Sequence, residues 1–242
     1  MKRIKWAAKI IVFAWQKISR NKIQFSISNR SLLSMNYLAH AFLSLDDAEL
    51  LTGNMIADYI KGKNALSQLP ERIREGILLH RAIDRFTDEH PASKKVAKLF
   101  RESYGRYAPA IIDSLFDHYL ANDKKHFEND GKLFEFTQKT YEQLASYEPH
   151  FPEKFCSFFP YMKEQNWLYN YRSQDGMNRS LKGLHRRAKY MPTTEKAFEI
   201  FLTNYSVLNE AYDEMMQEMI SFVVQKINNI EQPKWIVLGM EN

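Results

Sequence analysis

Apolar residues recur three or four apart through most of the chain from Asn36 onward, the period of helices buried on one face. No alternating stretch is long enough to read as a strand. Asp46-Asp47 is suited to cap a helix from Ala48 to Ile60, closed by Gly62. Pro70 suits the first turn of a second helix, running to about Phe86. Pro91 opens a third through Lys98 to Tyr104, and Pro109 a fourth through Ile111 to Ala121. Asn129-Asp130-Gly131 reads as a turn before a helix from Lys132 to Ser146. Three prolines between Tyr147 and Met162 predict a loop with short helical pieces. Asn166 to Tyr171 and Met177 to Lys189 are further helical segments. Pro192-Thr193-Thr194-Glu195 starts one long helix to about Ile227. The expected fold is a single all-α domain over 35–228, with a loose tail over 229–242.

Composition narrows this picture. Among 242 residues there are only 8 Gly and 8 Pro, too few turn-formers for a sandwich or barrel of many short strands. A hydrophobic share of 45% and a charged share of 26% are those of a folded, water-soluble chain. The lone Cys156 excludes an internal disulfide framework and a cysteine-based zinc ribbon, and points to a reducing compartment, the cytoplasm.

Charge divides the chain at Met35. Residues 1–34 carry eight Lys and Arg and no acid, whereas the remaining 208 residues hold 26 basic and 29 acidic groups. The body is therefore not a general polyanion binder, and nucleic acid is not an expected partner. Trp6 to Trp15 is apolar but too short, and too broken by Lys9, to span a bilayer. It lacks a small-residue cleavage site. Two readings stay open: a basic amphipathic segment resting on a membrane surface, or an extension upstream of a start at Met35.

The chemistry stands out as polar residues on apolar helix faces. His80 falls in line with Ile73 and Ile77, and Asp84 lies one turn beyond it. Asn54 and Asp58 are spaced likewise within Leu50, Met55 and Ile60, and Asp113 and Asp117 within Ile112, Phe116 and Leu120. His118 follows Asp117, and His40 interrupts the run Tyr37 to Leu43. An imidazole and a carboxylate one turn apart can satisfy each other or share a cation. Burying unpaired carboxylates is costly, so several such pairs together favour a shared metal. An oxygen and nitrogen ligand set without thiolate suits Mn²⁺, Mg²⁺ or Fe²⁺.

These same residues form ordered motifs. Asn36-Tyr37-Leu38-Ala39-His40 is followed by Gly53-Asn54-Met55-Ile56-Ala57-Asp58. Then come His80-Arg81-Ala82-Ile83-Asp84-Arg85-Phe86-Thr87-Asp88 and Asp117-His118-Tyr119-Leu120. Trp167-Leu168, Tyr171, Gly183 and Arg187 extend the pattern. The series resembles the acyl carrier protein phosphodiesterases, themselves similar to a non-standard branch of the HD-domain metal-dependent phosphohydrolases. The ordinary HD motif has His before Asp, and the adjacent pair here, Asp117-His118, is reversed. The resemblance begins at Met35 and leaves the 34-residue extension outside it.

The resemblance implies a hydrolase that releases 4′-phosphopantetheine from holo-acyl carrier protein with a divalent metal, by preference Mn²⁺. It implies His80, Asp84 and Asp117 as leading ligands, with His40, Asp58 and His118 next, and Arg81 as a phosphate-neutralising group. Carrier proteins are acidic, and Lys182, Arg186, Arg187 and Lys189 form the densest basic cluster of the body, the expected docking face. Two other functions fit the same residues: a related phosphohydrolase of a nucleotide or small phosphoester, and a non-catalytic helical binding protein. In the metal-free protein, Asp84→Ala is expected to relieve repulsion among buried carboxylates.

Overall fold

The computed structural model describes residues 36–188 and 190–231, and every element among them is helical. In order these are α1 (Tyr37–Phe42), α2 (Ala48–Ile56) with a 3-10 turn (Ala57–Tyr59), α3 (Gly62–Ser67) and α4 (Glu71–Glu89). Then follow α5 (Pro91–Tyr104), α6 (Ala108–Asn122), α7 (Asp130–Ser146), α8 (Glu153–Glu164) and α9 (Trp167–Asn170). The series ends with α10 (Gln174–Arg187), α11 (Glu195–Thr203) and α12 (Tyr205–Glu231). None of the helices among the described residues is long and apolar enough to cross a membrane. The predicted role of the 34-residue extension and the tail beyond Glu231 lie outside the described residues, and the first three residues expected in the tail, 229–231, instead continue α12.

α6 is the centre. Ile111, Leu115 and Tyr119 are buried along one side, and Phe116 and Leu120 along another. A helix apolar all round is covered all round; α1, α5, α10 and α12 pack against it. The all-α expectation holds, with four differences at the level of elements. The helix expected to reach Ile60 tightens into the 3-10 turn at Ala57. Gly62 (φ 82°) begins a helix instead of closing one. The proline-containing loop holds the 12-residue α8, with Pro160 inside it. The long C-terminal helix is broken at Asn204 into α11 and α12.

α2 crosses α4 at very short range. A Cβ on Gly53 would lie 2.0 Å from the Ile73 carbonyl oxygen, and one on Gly76 would lie 2.3 Å from that of Leu50. The two glycine Cα atoms therefore face each other across a crossing that no side chain could enter. Gly76 is one turn before His80 on α4, and Gly53 one turn before the 3-10 segment that carries Asp58. This crossing sets how near those two side chains come.

Candidate metal centre

α1 has six residues and is held at both ends. At its start both oxygens of Asp117 accept backbone N–H groups, Oδ2 from Leu38 at 3.1 Å and Oδ1 from Ala39 at 2.8 Å. At its end Asn54 Nδ2 donates to the His40 carbonyl at 2.9 Å and to Ser44 Oγ at 3.1 Å. So short a helix is marginal alone, and these clamps from α6 and α2 aim the His40 ring inward.

Four side chains meet there. Asp84 Oδ1 lies 3.2 Å from His40 Nε2, and Asp84 Oδ2 lies 3.2 Å from His80 Nε2. Asp58 Oδ1 is 3.4 Å from the same nitrogen of His80. The two imidazoles stack, with centroids 4.0 Å apart and planes 18° from parallel. One ligand atom each from His40, His80 and Asp84 fits within 4.8 Å, the one such group among the described residues. Both ring nitrogens of His40 and of His80, Asp58 Oδ1 and Asp84 Oδ1 are buried without a well-formed hydrogen bond. Orphaned lone pairs of this kind, on nitrogen and oxygen only, fit a divalent cation.

The electrostatics agree. Burial, and then the charge of His80 beside it, hold His40 below the usual histidine range and so neutral, the form that binds metal. Burial also opposes charge on His80, but Asp84 and Asp58 together outweigh it and raise its pKa well above the ordinary value. Asp84 is held low because the two imidazoles more than offset its burial. Asp58 is pushed up, chiefly by burial.

Two expected ligands are not brought into this cluster. Asp117 spends its carboxylate on the N-terminus of α1. His118 uses both ring nitrogens elsewhere: Nδ1 lies 2.7 Å from the Tyr171 carbonyl and Nε2 lies 2.9 Å from Tyr205 Oη. A carbonyl only accepts, so Nδ1 carries the proton and Nε2 accepts from the tyrosine. No lone pair is left for a metal. The physical reason is rotation about α6: the face that carries these residues turns toward α1 and α12. Arg81 is exposed, with Nη2 donating to the Ile60 carbonyl at 3.4 Å, beside the turn that carries Asp58.

The capping role of Asp117 has a measurable signature. Asp117→Ala strands two buried N–H groups at about 1–3 kcal/mol each, so a melting point several degrees lower is expected. The metal content of the folded protein should stay at the wild-type value. Loss of metal with an unchanged melting point would make Asp117 a ligand after all.

Of the expected docking residues, Lys182 and Arg186 are exposed on α10 with Arg187, whereas Lys189 lies outside the described residues. These three do not form a flat patch. With Arg179, Trp167, Tyr171 and neighbours they line a cavity of about 440 Å³. Arg179, Asn54 as a clamp, and the Tyr37–Tyr59 hydroxyl pair at 3.0 Å escaped the sequence reading. Asn54 gave a signal, a buried amide in an apolar helix; the others gave none.

A buried histidine-carboxylate centre in an all-α fold defines a helical protein built around a candidate divalent-metal site. The sequence profile of the acyl carrier protein phosphodiesterases matches residues 35–219, and the chain belongs to that family. Among its relatives is an acyl carrier protein phosphodiesterase of Salmonella paratyphi A. It is 29% identical over 192 residues, which cover 79% of this chain and 99% of the relative. Another of the same name, from Enterobacter sp. (strain 638), is 30% identical over 186 residues, 77% of this chain and 96% of that one. No solved structure matches this chain significantly.

Proposed function

We propose that this protein hydrolyses the phosphodiester between 4′-phosphopantetheine and the serine of holo-acyl carrier protein. Water adds its oxygen to phosphorus, the bond from phosphorus to the serine oxygen breaks, and that oxygen leaves with a proton. Family membership supplies the substrate class. The observation that carries the chemistry is the convergence of His40, His80 and Asp84, each with buried lone pairs and no other good partner.

In this reading His40, His80 and Asp84 hold a divalent ion, with Mn²⁺ the first choice and Mg²⁺ or Fe²⁺ compatible with the same donors. Such an ion, when bound, lowers the pKa of water and polarises a phosphoryl oxygen. Asp58 orients His80 and, with its pKa raised by burial, is the carboxylate best suited to accept a proton from the attacking water. Asn54 is a positioning residue that acts on His40 through its carbonyl, while Asp117 anchors the start of α1. Arg81, next to His80 and exposed, is available to an incoming phosphate.

The decisive test is incubation of the purified chain with holo-carrier protein and Mn²⁺, followed by intact mass. Loss of the prosthetic group from the carrier supports the reading. An unchanged carrier with Mn²⁺, Mg²⁺ and Fe²⁺ in turn rules it out. Docking has its own expected result. Lys182→Glu with Arg186→Glu should raise KM for holo-carrier protein severalfold with little change in kcat, because exposed charges contribute about 0–1 kcal/mol each and act mainly on encounter. Added salt should raise the wild-type KM in the same direction.

A further inference from the structure

The cavity against α10 is the second unusual feature of the molecule. Arg179, Lys182, Arg186 and Arg187 all line it. None of the four makes an ion pair within 4.0 Å among the described residues. Four cations around one recess repel one another; the charge of Arg186 acts directly against that of Arg187. An anion inside would relieve them all.

Arg187 differs from the other three in where it faces. A Cβ on Gly183, one turn before it, would lie 3.3 Å from Arg187 Nη1. The guanidinium thus lies back over bare helix at the cavity wall. Its charge is felt by the hydroxyls of Tyr37, Tyr59 and Tyr171. Tyr37 and Tyr59 in turn feel Asp58 of the histidine-carboxylate centre. Geometry gives the same connection: Trp167 of the cavity wall stacks on Phe158 at 6.0 Å, and Phe158 meets Tyr37 and Tyr59 at 6.2 and 5.8 Å, so the cavity wall adjoins the rings beside His40 and Asp58.

Size and lining decide what fits. One turn of an α-helix, about 10 Å across and 5.4 Å long, already occupies about 400 Å³. A docking helix would need nearly the whole recess for a single turn, so it rests outside. A slender chain enters: about 440 Å³ is within the range of small-molecule sites, roughly 300–1,000 Å³. The lining combines the aromatic residues Trp167 and Tyr171 with the amide residues Gln165 and Asn170. That mixture suits a flexible chain of methylenes and amide groups ending in a phosphate.

We propose that this groove between α9 and α10 binds the phosphopantetheine arm of the substrate, with Arg187 gripping its phosphoryl group beside the His40, His80 and Asp84 centre. The assignment rests on the hydrolase reading above and separates the basic cluster into two jobs. Lys182 and Arg186 meet the carrier protein; Arg187 holds the arm, its planar fork matched to phosphate oxygens.

The test uses the full-length, Mn²⁺-supplemented protein and two small probes, 4′-phosphopantetheine and pantetheine, in calorimetric titrations. Wild type should bind the phosphorylated probe more tightly. Arg187→Ala should weaken that probe by about tenfold or more, the cost of losing a charge-assisted contact, and leave pantetheine unchanged. Arg187→Lys should fall between. Gly183→Leu, which fills the groove, should weaken both probes. Melting curves identify any variant that fails to fold, and the other variants then decide. Equal binding of 4′-phosphopantetheine by wild type and all folded variants would overturn the assignment, as would no binding by wild type. The hydrolase reading fails separately: a wild type that binds the probe as described but leaves holo-carrier protein intact keeps the groove and loses the reaction. Turnover with probe binding indifferent to these variants does the reverse.

Discussion

His80→Ala is expected to abolish metal binding and turnover together while the helical signal persists. His80 contributes Nε2 to the group formed with His40 and Asp84, and the same atom faces Asp58 at 3.4 Å. Its loss removes a ligand and leaves two carboxylates short of their counter-charge. The fall in activity should exceed the roughly 10–100-fold that loss of a mere outer partner of a ligand costs. Metal content by atomic emission, and turnover by intact mass, check both halves. A His80→Ala protein that still binds metal and turns over would remove the centre from the reaction.

The protonation pattern adds a sign. In the metal-free protein the raised pKa of His80 keeps a proton on the ring, between Asp84 and Asp58. A cation must displace it. Apparent affinity should therefore rise with pH, by up to about tenfold per unit, until the raised pKa of His80 is passed, with proton release measurable in buffers of different ionisation enthalpy. Asp84→Ala in the metal-free protein is expected to lower stability, the opposite of the repulsion expected from sequence. Asp84 sits 3.2 Å from each of two imidazoles, so its removal deletes their anion.

The second large effect is at the helix crossing. Gly53→Ala and Gly76→Ala would each favour an isolated helix by about 1 kcal/mol. Here each should destabilise the protein by more than that, beyond the roughly 1–3 kcal/mol usual for overpacking. The new Cβ meets backbone oxygen at 2.0 or 2.3 Å, against 3.4–4 Å for ordinary contact, and backbone cannot rotate aside. Widening the crossing also parts Asp58 from His80. Denaturant titration and metal titration should therefore show stability and affinity falling together in both variants. Wild-type stability in either would mean that the helices are free to separate.

The helical pattern was written in the chain. Proline at the start of α5, Asn129 before α7 and the apolar spacing of α4 are local signals, and each marks an element that forms where expected. His80 and Asp84 were legible as a pair for the same reason: one turn of one helix fixes their separation whatever the rest of the protein does. Periodicity says that a face is buried but not what it is buried against. Asp117 and His118 looked as much like ligands as His40 and Asp58. Only the placement of α6 between α1 and α12 spent Asp117 on backbone N–H groups and His118 on Tyr171 and Tyr205. Likewise α10 announced itself as basic, but a cavity arises only where α9 closes on it. There Gly176 lets the two segments touch, since a Cβ would fall 1.8 Å from the Asn170 carbonyl oxygen. Local spacing within a helix is set by covalent geometry and hydrogen bonding along the chain, so sequence alone determined it. Which charged side chain faces a partner, a backbone donor or an open recess depends on helices distant in sequence, and the tertiary packing decided it.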